Sequence, residues 1–227
     1  MKIFILLFFL SFIIGNKTVE ILSYDAEFKN IGAGSAILKT TTVNNKKEIL
    51  FSFKAKKIIE LFYKLREKIL IKVNYQDYSI AYIYQDSQQG KRIKKHEASF
   101  DYINMKAYSN KDTIDITQKV YNPISIISFL RSQQLTLNDE FTFHIYNAGK
   151  IKQIKMKVVG EEEITVNSQN YLCFVLAPFY LNDADSKNKK GEIKLWISQD
   201  TQLPIIIEQS ANFGEIILTL NHIQYEN

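Results

Sequence analysis

The chain has one cysteine, three prolines and eight glycines in 227 residues. A lone thiol closes no intramolecular disulfide, so the fold must be held by its core. So little proline and glycine excludes collagen-like, low-complexity and linker-rich chains. A strong excess of one charge is also lacking: 29 Lys and Arg face 24 Asp and Glu, a formal net charge of +5. The cations fall in short clusters beside turns, at Lys46-Lys47, Lys56-Lys57, Lys91-Arg92 with Lys94-Lys95, and Lys187 with Lys189-Lys190. No aromatic-interleaved basic stripe or helix-turn-helix accompanies them, so a nucleic-acid partner is not expected. A dispersed excess of this kind reads as a lysine-rich solvated exterior.

Catalytic and metal-binding patterns are missing as well. The sequence contains no GxSxG elbow, no phosphate-cradling glycine loop and no Ser or Cys set beside a His. His96, His144 and His222 lie far apart, each isolated in a strand-like segment, without the close ligand pair of a zinc site. Cys173 sits in the apolar stretch Tyr171 to Leu176 with no basic neighbour, as a small buried hydrophobe does. Glu161, Glu162 and Glu163 are consecutive, so on a strand they point to opposite faces and read as a solvated edge or turn, not as paired carboxylates. No catalytic residue, metal or cofactor is expected, and a non-enzymatic protein is favoured over an enzyme.

No apolar run reaches transmembrane length. Ile3 to Ile14, broken by Ser11 and preceded by Lys2, gives twelve residues, or roughly 18 Å of helix against a hydrocarbon core of about 30 Å. That length suits a signal-peptide core. Gly15 is acceptable at the position before cleavage, whereas Ile13 is bulky two residues earlier, so residues 1–15 are either a cleaved export signal or an uncleaved anchor. No cysteine near this run could carry a lipoprotein anchor. Removing residues 1–15 takes away Lys2 and no acid, lowering the charge from +5 to +4. The expectation from this segment is export, with membrane contact through the N-terminus only.

What the sequence does have is alternation. It is 46% hydrophobic and 13% aromatic, and its apolar residues recur with a period of two between turn residues, the mark of antiparallel strands. Residues 20–28 put Leu22, Tyr24, Ala26 and Phe28 on one face; Ile31 to Ser35 read as a flexible turn; 36–43 and 49–54 flank a turn at Asn44-Asn45-Lys46. Ile58, Ile59, Leu61 and Phe62 suit a helical turn, followed by strands near 68–75 and over 78–84 with Ile80, Tyr82 and Tyr84 on one side. A more polar pair covers 91–108, and 109–119 carry no decisive pattern. Asn122-Pro123 opens a short helix ending near Gln133, with Asn as cap, Pro in the first turn, and Ile124, Ile127 and Leu130 on one face. From Leu137 the ladder resumes through 141–146, a turn at Asn147-Ala148-Gly149, then 151–159, 171–176, 195–198 and 203–207, with Asn182 to Lys190 as an exposed mobile loop. Strands apolar on both faces (171–176) alternate with one-sided strands (151–159). The expectation is a mainly β fold: one domain over 16–227, an antiparallel β-barrel or curved half-barrel of meander type with one or two short helices.

Ordered landmarks run the length of this pattern: Tyr24, Gly32 to Ala36, Leu61 to Lys64, Asn122-Pro123, Phe129 to Arg131, Asp139 with Phe141 and Phe143, Gly149-Lys150, Gly160-Glu161, Cys173, Pro178, Gly191, Leu195 to Ser198, Asp200, Leu203-Pro204 and Gly214. In order and spacing they resemble domain-of-unknown-function family 3108, a group of exported, β-rich bacterial envelope proteins, over about 20–223. Two positions depart from the family pattern: Asn138 stands where a Gly usually precedes the Asp, and Asn170 replaces a turn glycine. Asn tolerates left-handed turn geometry, so both departures are compatible with turns. The resemblance implies a location in the periplasm or cell envelope of a bacterium and a barrel-like fold, and no catalytic residues. Most of the 15 Phe and 13 Tyr are expected to pack the core, and some to line an apolar groove. Two functions follow as expectations: binding of a lipid or other hydrophobic small molecule in a barrel-like cavity, with its residues unassigned, or a packed structural or assembly role with an envelope protein partner and no ligand.

Overall fold

The computed structural model describes residues 17–61, 64–110, 112–147, 149–179, 193–211 and 214–226. The N-terminal apolar segment and the Asn182–Lys190 loop lie outside the described residues. Among the described residues, fourteen strands form one antiparallel sheet and two helices accompany it. The first eight are β1 (Lys17–Phe28), β2 (Ile31–Val43), β3 (Lys46–Ala55), β4 (Leu65–Val73), β5 (Ile80–Gln89), β6 (Arg92–Asp101), β7 (Lys106–Ser109) and β8 (Thr113–Asp115). The rest are β9 (Glu140–Asn147), β10 (Lys150–Val166), β11 (Gln169–Pro178), β12 (Ile193–Ser198), β13 (Pro204–Ala211) and β14 (Gly214–Glu226). Two helices interrupt them, α1 (Lys57–Glu60) and α2 (Pro123–Arg131).

The strand order is β8-β7-β6-β5-β4-β3-β2-β1-β14-β13-β12-β11-β10-β9. Two meanders, β1 to β8 and β9 to β14, are therefore joined where β1 pairs with β14. The terminal strands β8 and β9 do not pair, so the sheet is a curved half-barrel and not a closed barrel. The connection after β8 ties its two wings together: Ile80 N–H of β5 bonds Val120 O at 2.9 Å, while Tyr121 N–H bonds His144 O of β9 at 2.8 Å. Tyr146 N–H returns to Tyr121 O at 2.9 Å.

Alternation holds wherever the ladder is regular. Leu22, Tyr24 and Ala26 face the core from β1, Ile49 and Phe53 from β3, Ile69, Ile71 and Val73 from β4, and Met156 and Val158 from β10. It fails at bulges, which slip the register by one residue and send following side chains to the other face. Such a slip between Lys72 and Val73, opposite Ile80 and Tyr82, separates Ile80 from the two tyrosines expected beside it. Ile80 and Ile83 are buried; Tyr82 instead bonds Glu97 on the outer surface. Gln85 and Ser87 thereby take inward positions, and both line the interior groove.

Two other expectations are corrected. Ile31 to Ser35 is strand, not turn; the turn is Lys29-Asn30, both left-handed (φ 50° and 60°). Gly34 is there for close approach, because a Cβ would stand 2.3 Å from the Lys54 carbonyl oxygen. Asn170 lies in β11 opposite Thr165, and the turn before it is made by Asn167 and Ser168 (φ 50° and 64°). Asn138, by contrast, does take the left-handed geometry, with φ 71°.

The Asn122 cap is formed as expected: its side chain accepts from Ile124 N–H at 2.9 Å, and Asn122 N–H donates to Ser125 Oγ at 3.0 Å. The helix is not one-faced, however. Ser125, Ile126, Ile127, Ser128 and Leu130 are all buried, because α2 lies within the concavity of the sheet and is packed on several sides. Helix α1 is the opposite case, with Ile58 and the following Leu61 65% and 79% exposed.

Candidate functional site

The concave face encloses a groove whose floor is α2, through Pro123, Ile124 and Ile127. One wall presents Leu38, Phe51, Ile69 and Ile83 from β2 to β5. The other presents Ile145, Ile154, Ile193, Ile207 and Leu218 from β9, β10 and β12 to β14. This part has a volume of about 350 Å³, within the range of small-molecule pockets. It continues into a more polar hollow of about 440 Å³ bounded by Phe53, Leu65, Arg66, Arg92, Lys94 and Ile216. Phe51, Glu67, Gln85, Asn147, Gln209 and Leu218 border both parts, so they form one groove.

The register places its open end. Arg92 pairs with Gln89 at the β5–β6 turn, Leu65 pairs with Gln89 at the start of β4, Ala211 pairs with Gly214, and Lys150 pairs with Asn147. These turns crowd the end of the sheet remote from Arg131 and the C-terminus of α2. The groove is therefore apolar at the helix and polar toward the turns.

Several polar groups border the apolar part, His96, Tyr146 and Glu67 among them. His96 Nε2 and the Tyr146 hydroxyl share a hydrogen bond of 3.0 Å across the interior, between β6 and β9. Burial raises the Tyr146 hydroxyl above its ordinary range, so it stays protonated and available as a donor. Glu67 Oε1 accepts from Gln85 Nε2 at 2.8 Å. Burial pushes the Glu67 carboxyl above the usual carboxylate range, against the lowering effects of Gln85 and Lys94.

The helix floor is anchored from behind. The Arg131 guanidinium forms a two-pronged pair with Glu20 of β1 at 2.7 and 2.8 Å, and its Nε donates to Gln202 O at 2.8 Å. Phe129 sits in an aromatic cluster, with ring centroids 5.5 Å from Phe143, 6.1 Å from Tyr121, 6.2 Å from Phe141 and 6.5 Å from Tyr78. A second hollow of about 520 Å³ lies on that side of α2, bounded by Thr18, Thr40, Thr42, Lys47, Ser128 and Arg131 among others.

With the groove described, the relatives can be placed. The model of the family described as "Protein of unknown function (DUF3108)" matches residues 23–221. The chain belongs to that family. Among solved structures, it is similar to a β-barrel-like protein of the domain of unknown function DUF1849 from Brucella abortus. The two are 10% identical with a TM-score of 0.62, over 92% of this chain and 98% of that one. At that identity the likeness concerns the fold alone, and it matches the curled sheet seen here. Two further structures align over much of the chain at a TM-score of only 0.23. They are a putative outer membrane lipoprotein-sorting protein domain from Vibrio parahaemolyticus (6% identity, 93% of this chain, 86% of that one) and a DUF1329 family protein from Desulfovibrio piger (10% identity, 94% and 87%). At 0.23 they carry no argument. No curated protein matches the sequence.

The residues weighed in the sequence are dispersed. His96 lines the groove, His144 of β9 bonds Gln118 in the connection after β8, and His222 lies on β14. No cluster of three metal-binding side chains occurs among the described residues. Cys173 is fully buried in β11, its thiol pushed up to about 11 by burial and by Glu162. Glu161 to Glu163 lie beyond Lys157, the last β10 residue paired with β9, so this stretch of β10 is a sheet edge. Glu162 accepts from Trp196 Nε1 at 2.7 Å.

The groove lining itself was missed. Aromatics were expected to mark it, but isoleucine and leucine dominate the lining while the largest aromatic group packs behind α2. The one usable signal was the inward parity of 151–159, where Lys152, Ile154, Met156 and Val158 share a face.

Proposed function

We propose that this protein is a non-enzymatic component of a bacterial cell envelope, folded as one domain over 16–227, that binds a lipid or other hydrophobic molecule inside the half-barrel. The observation that carries this reading is the groove: an apolar hollow of about 350 Å³ floored by a buried helix and continuous with a second hollow toward the turns. A packed assembly protein has no use for such a space. Transfer of a methylene out of water contributes about 0.8 kcal/mol. A chain of eight to ten carbons thus brings roughly 6–8 kcal/mol before ordering costs, enough for micromolar to millimolar retention. The apolar segment 3–14, read as an export signal or anchor, supports the envelope location.

The test is native mass spectrometry of the purified protein, followed by titration of the delipidated protein with a fluorescent fatty acid. One equivalent of probe is expected to bind, and Ile154→Trp, at a half-buried lining position, is expected to block uptake. A protein that purifies without ligand and takes up no probe would overturn the reading in favour of the assembly role.

A further inference from the structure

Two strands on opposite walls of the groove change character in the same direction. On β6 the inward face carries buried Phe100, Ala98 and His96 and then, toward the open end, Lys94 and Arg92. On β10 the inward face carries buried Val158 and Met156, half-buried Ile154, and then Lys152 and Lys150. All four cations border the groove. None of them has an ion-pair partner within 4 Å among the described residues, whereas Arg66 nearby is occupied by Glu60 at 2.6 Å. Glu67 is the sole acid among the described residues bordering the groove, and it is held by Gln85.

These cations are solvated and cost the fold little, but gathered at the mouth of an otherwise apolar groove they set up a positive potential that favours a negative group there. A uniformly greasy ligand would leave them unused, and a small anion would leave the apolar floor unused. We propose that the groove takes a single-chain amphiphile with an anionic head, its chain lying against Ile124 and Ile127 and its carboxylate or phosphate held between the Arg92–Lys94 and Lys150–Lys152 walls. This rests on the hydrophobic-ligand reading and adds to it a direction and a head-group charge. The chain enters tail first, and the head stays at the turns.

The test is displacement of a bound fluorescent fatty acid from the delipidated full chain by a matched twelve-carbon series: dodecanoate, dodecyl phosphate, dodecanol and dodecyltrimethylammonium. The two anionic probes are expected to compete about tenfold or more better than the alcohol at low salt, with the ammonium weakest. The advantage should shrink as ionic strength rises. Comparing dodecanoate with dodecyl phosphate tells a carboxylate source from a phosphate source. The double variants Arg92→Glu/Lys94→Glu and Lys150→Glu/Lys152→Glu, all at exposed positions, should each erase the anionic advantage, so that dodecanoate and dodecyl phosphate compete no better than dodecanol. Equal competition by all four probes, or variants that lower every probe alike, would overturn the proposal and leave the hydrophobic-ligand reading standing. Failure of every probe to bind would overturn that reading itself.

Discussion

Helix α2 separates two hollows that differ in chemistry more than in size. On the groove side it offers Ile124 and Ile127 to walls of isoleucine and leucine. On the far side it offers Ser128 and Arg131 to a ring of threonines, Lys47 and Glu20, around a space of about 520 Å³. On the far side the charged groups already answer one another, Arg131 with Glu20 and Lys47 with the Tyr78 hydroxyl at 2.6 Å, so that hollow is where the helix is fastened. On the groove side the apolar surface and the inward cations have no such partners among the described residues, and this is the hollow proposed to take the ligand.

The contrast can be broken most strongly at the fastening. Arg131→Ala removes the paired bonds to Glu20 and the bond to Gln202, leaving a largely buried carboxylate alone. A loss of about 2–4 kcal/mol is expected in urea denaturation. A smaller effect is expected in the groove at Glu67. Its carboxyl is raised on folding, so the folded state holds a proton that the unfolded chain gives up at lower pH. Stability from this group is present below the unfolded carboxyl range, near pH 4, and falls as pH rises from there through the raised folded value. Glu67→Gln should flatten that fall, read as a smaller difference in denaturation midpoint between about pH 4 and pH 7 than in the wild type. The smallest effect belongs to the mouth: Lys152→Ala should change stability by less than about 0.5 kcal/mol, because no ion pair among the described residues depends on it. A large loss there would mean the mouth is structural and would erase the distinction.

How much of this was legible in the sequence depends on where period two survives. Leu22, Tyr24 and Ala26, or Ile49 and Phe53, show their buried face directly because their strands are regular at those positions. Asn122-Pro123 announced α2 because capping is local chemistry. Its burial on several sides was not legible, because enclosure by a curled sheet is a property of distant residues. The bulge that parts Ile80 from Tyr82 has no local signature, and it is what turned Gln85 and Ser87 into the groove. The close approach at Gly34 was hidden for the same reason, since the atom it avoids belongs to Lys54 on the neighbouring strand. The inward lysines of β10 were visible as alternation, but their meaning required the matching pair on β6, 58 residues earlier in the chain (Lys150 back to Arg92).

The missing β8–β9 pairing has a mechanical consequence. In a closed barrel, strand number and stagger dictate the diameter. Here the circumference is interrupted, and across the seam the wings are tied by the Tyr121 clasp on β9 and the His96–Tyr146 contact. The bore is thus not fixed by strand number: widening it would strain a few bonds at a latch and leave the long ladders intact, so the proposed ligand need not match one set girth.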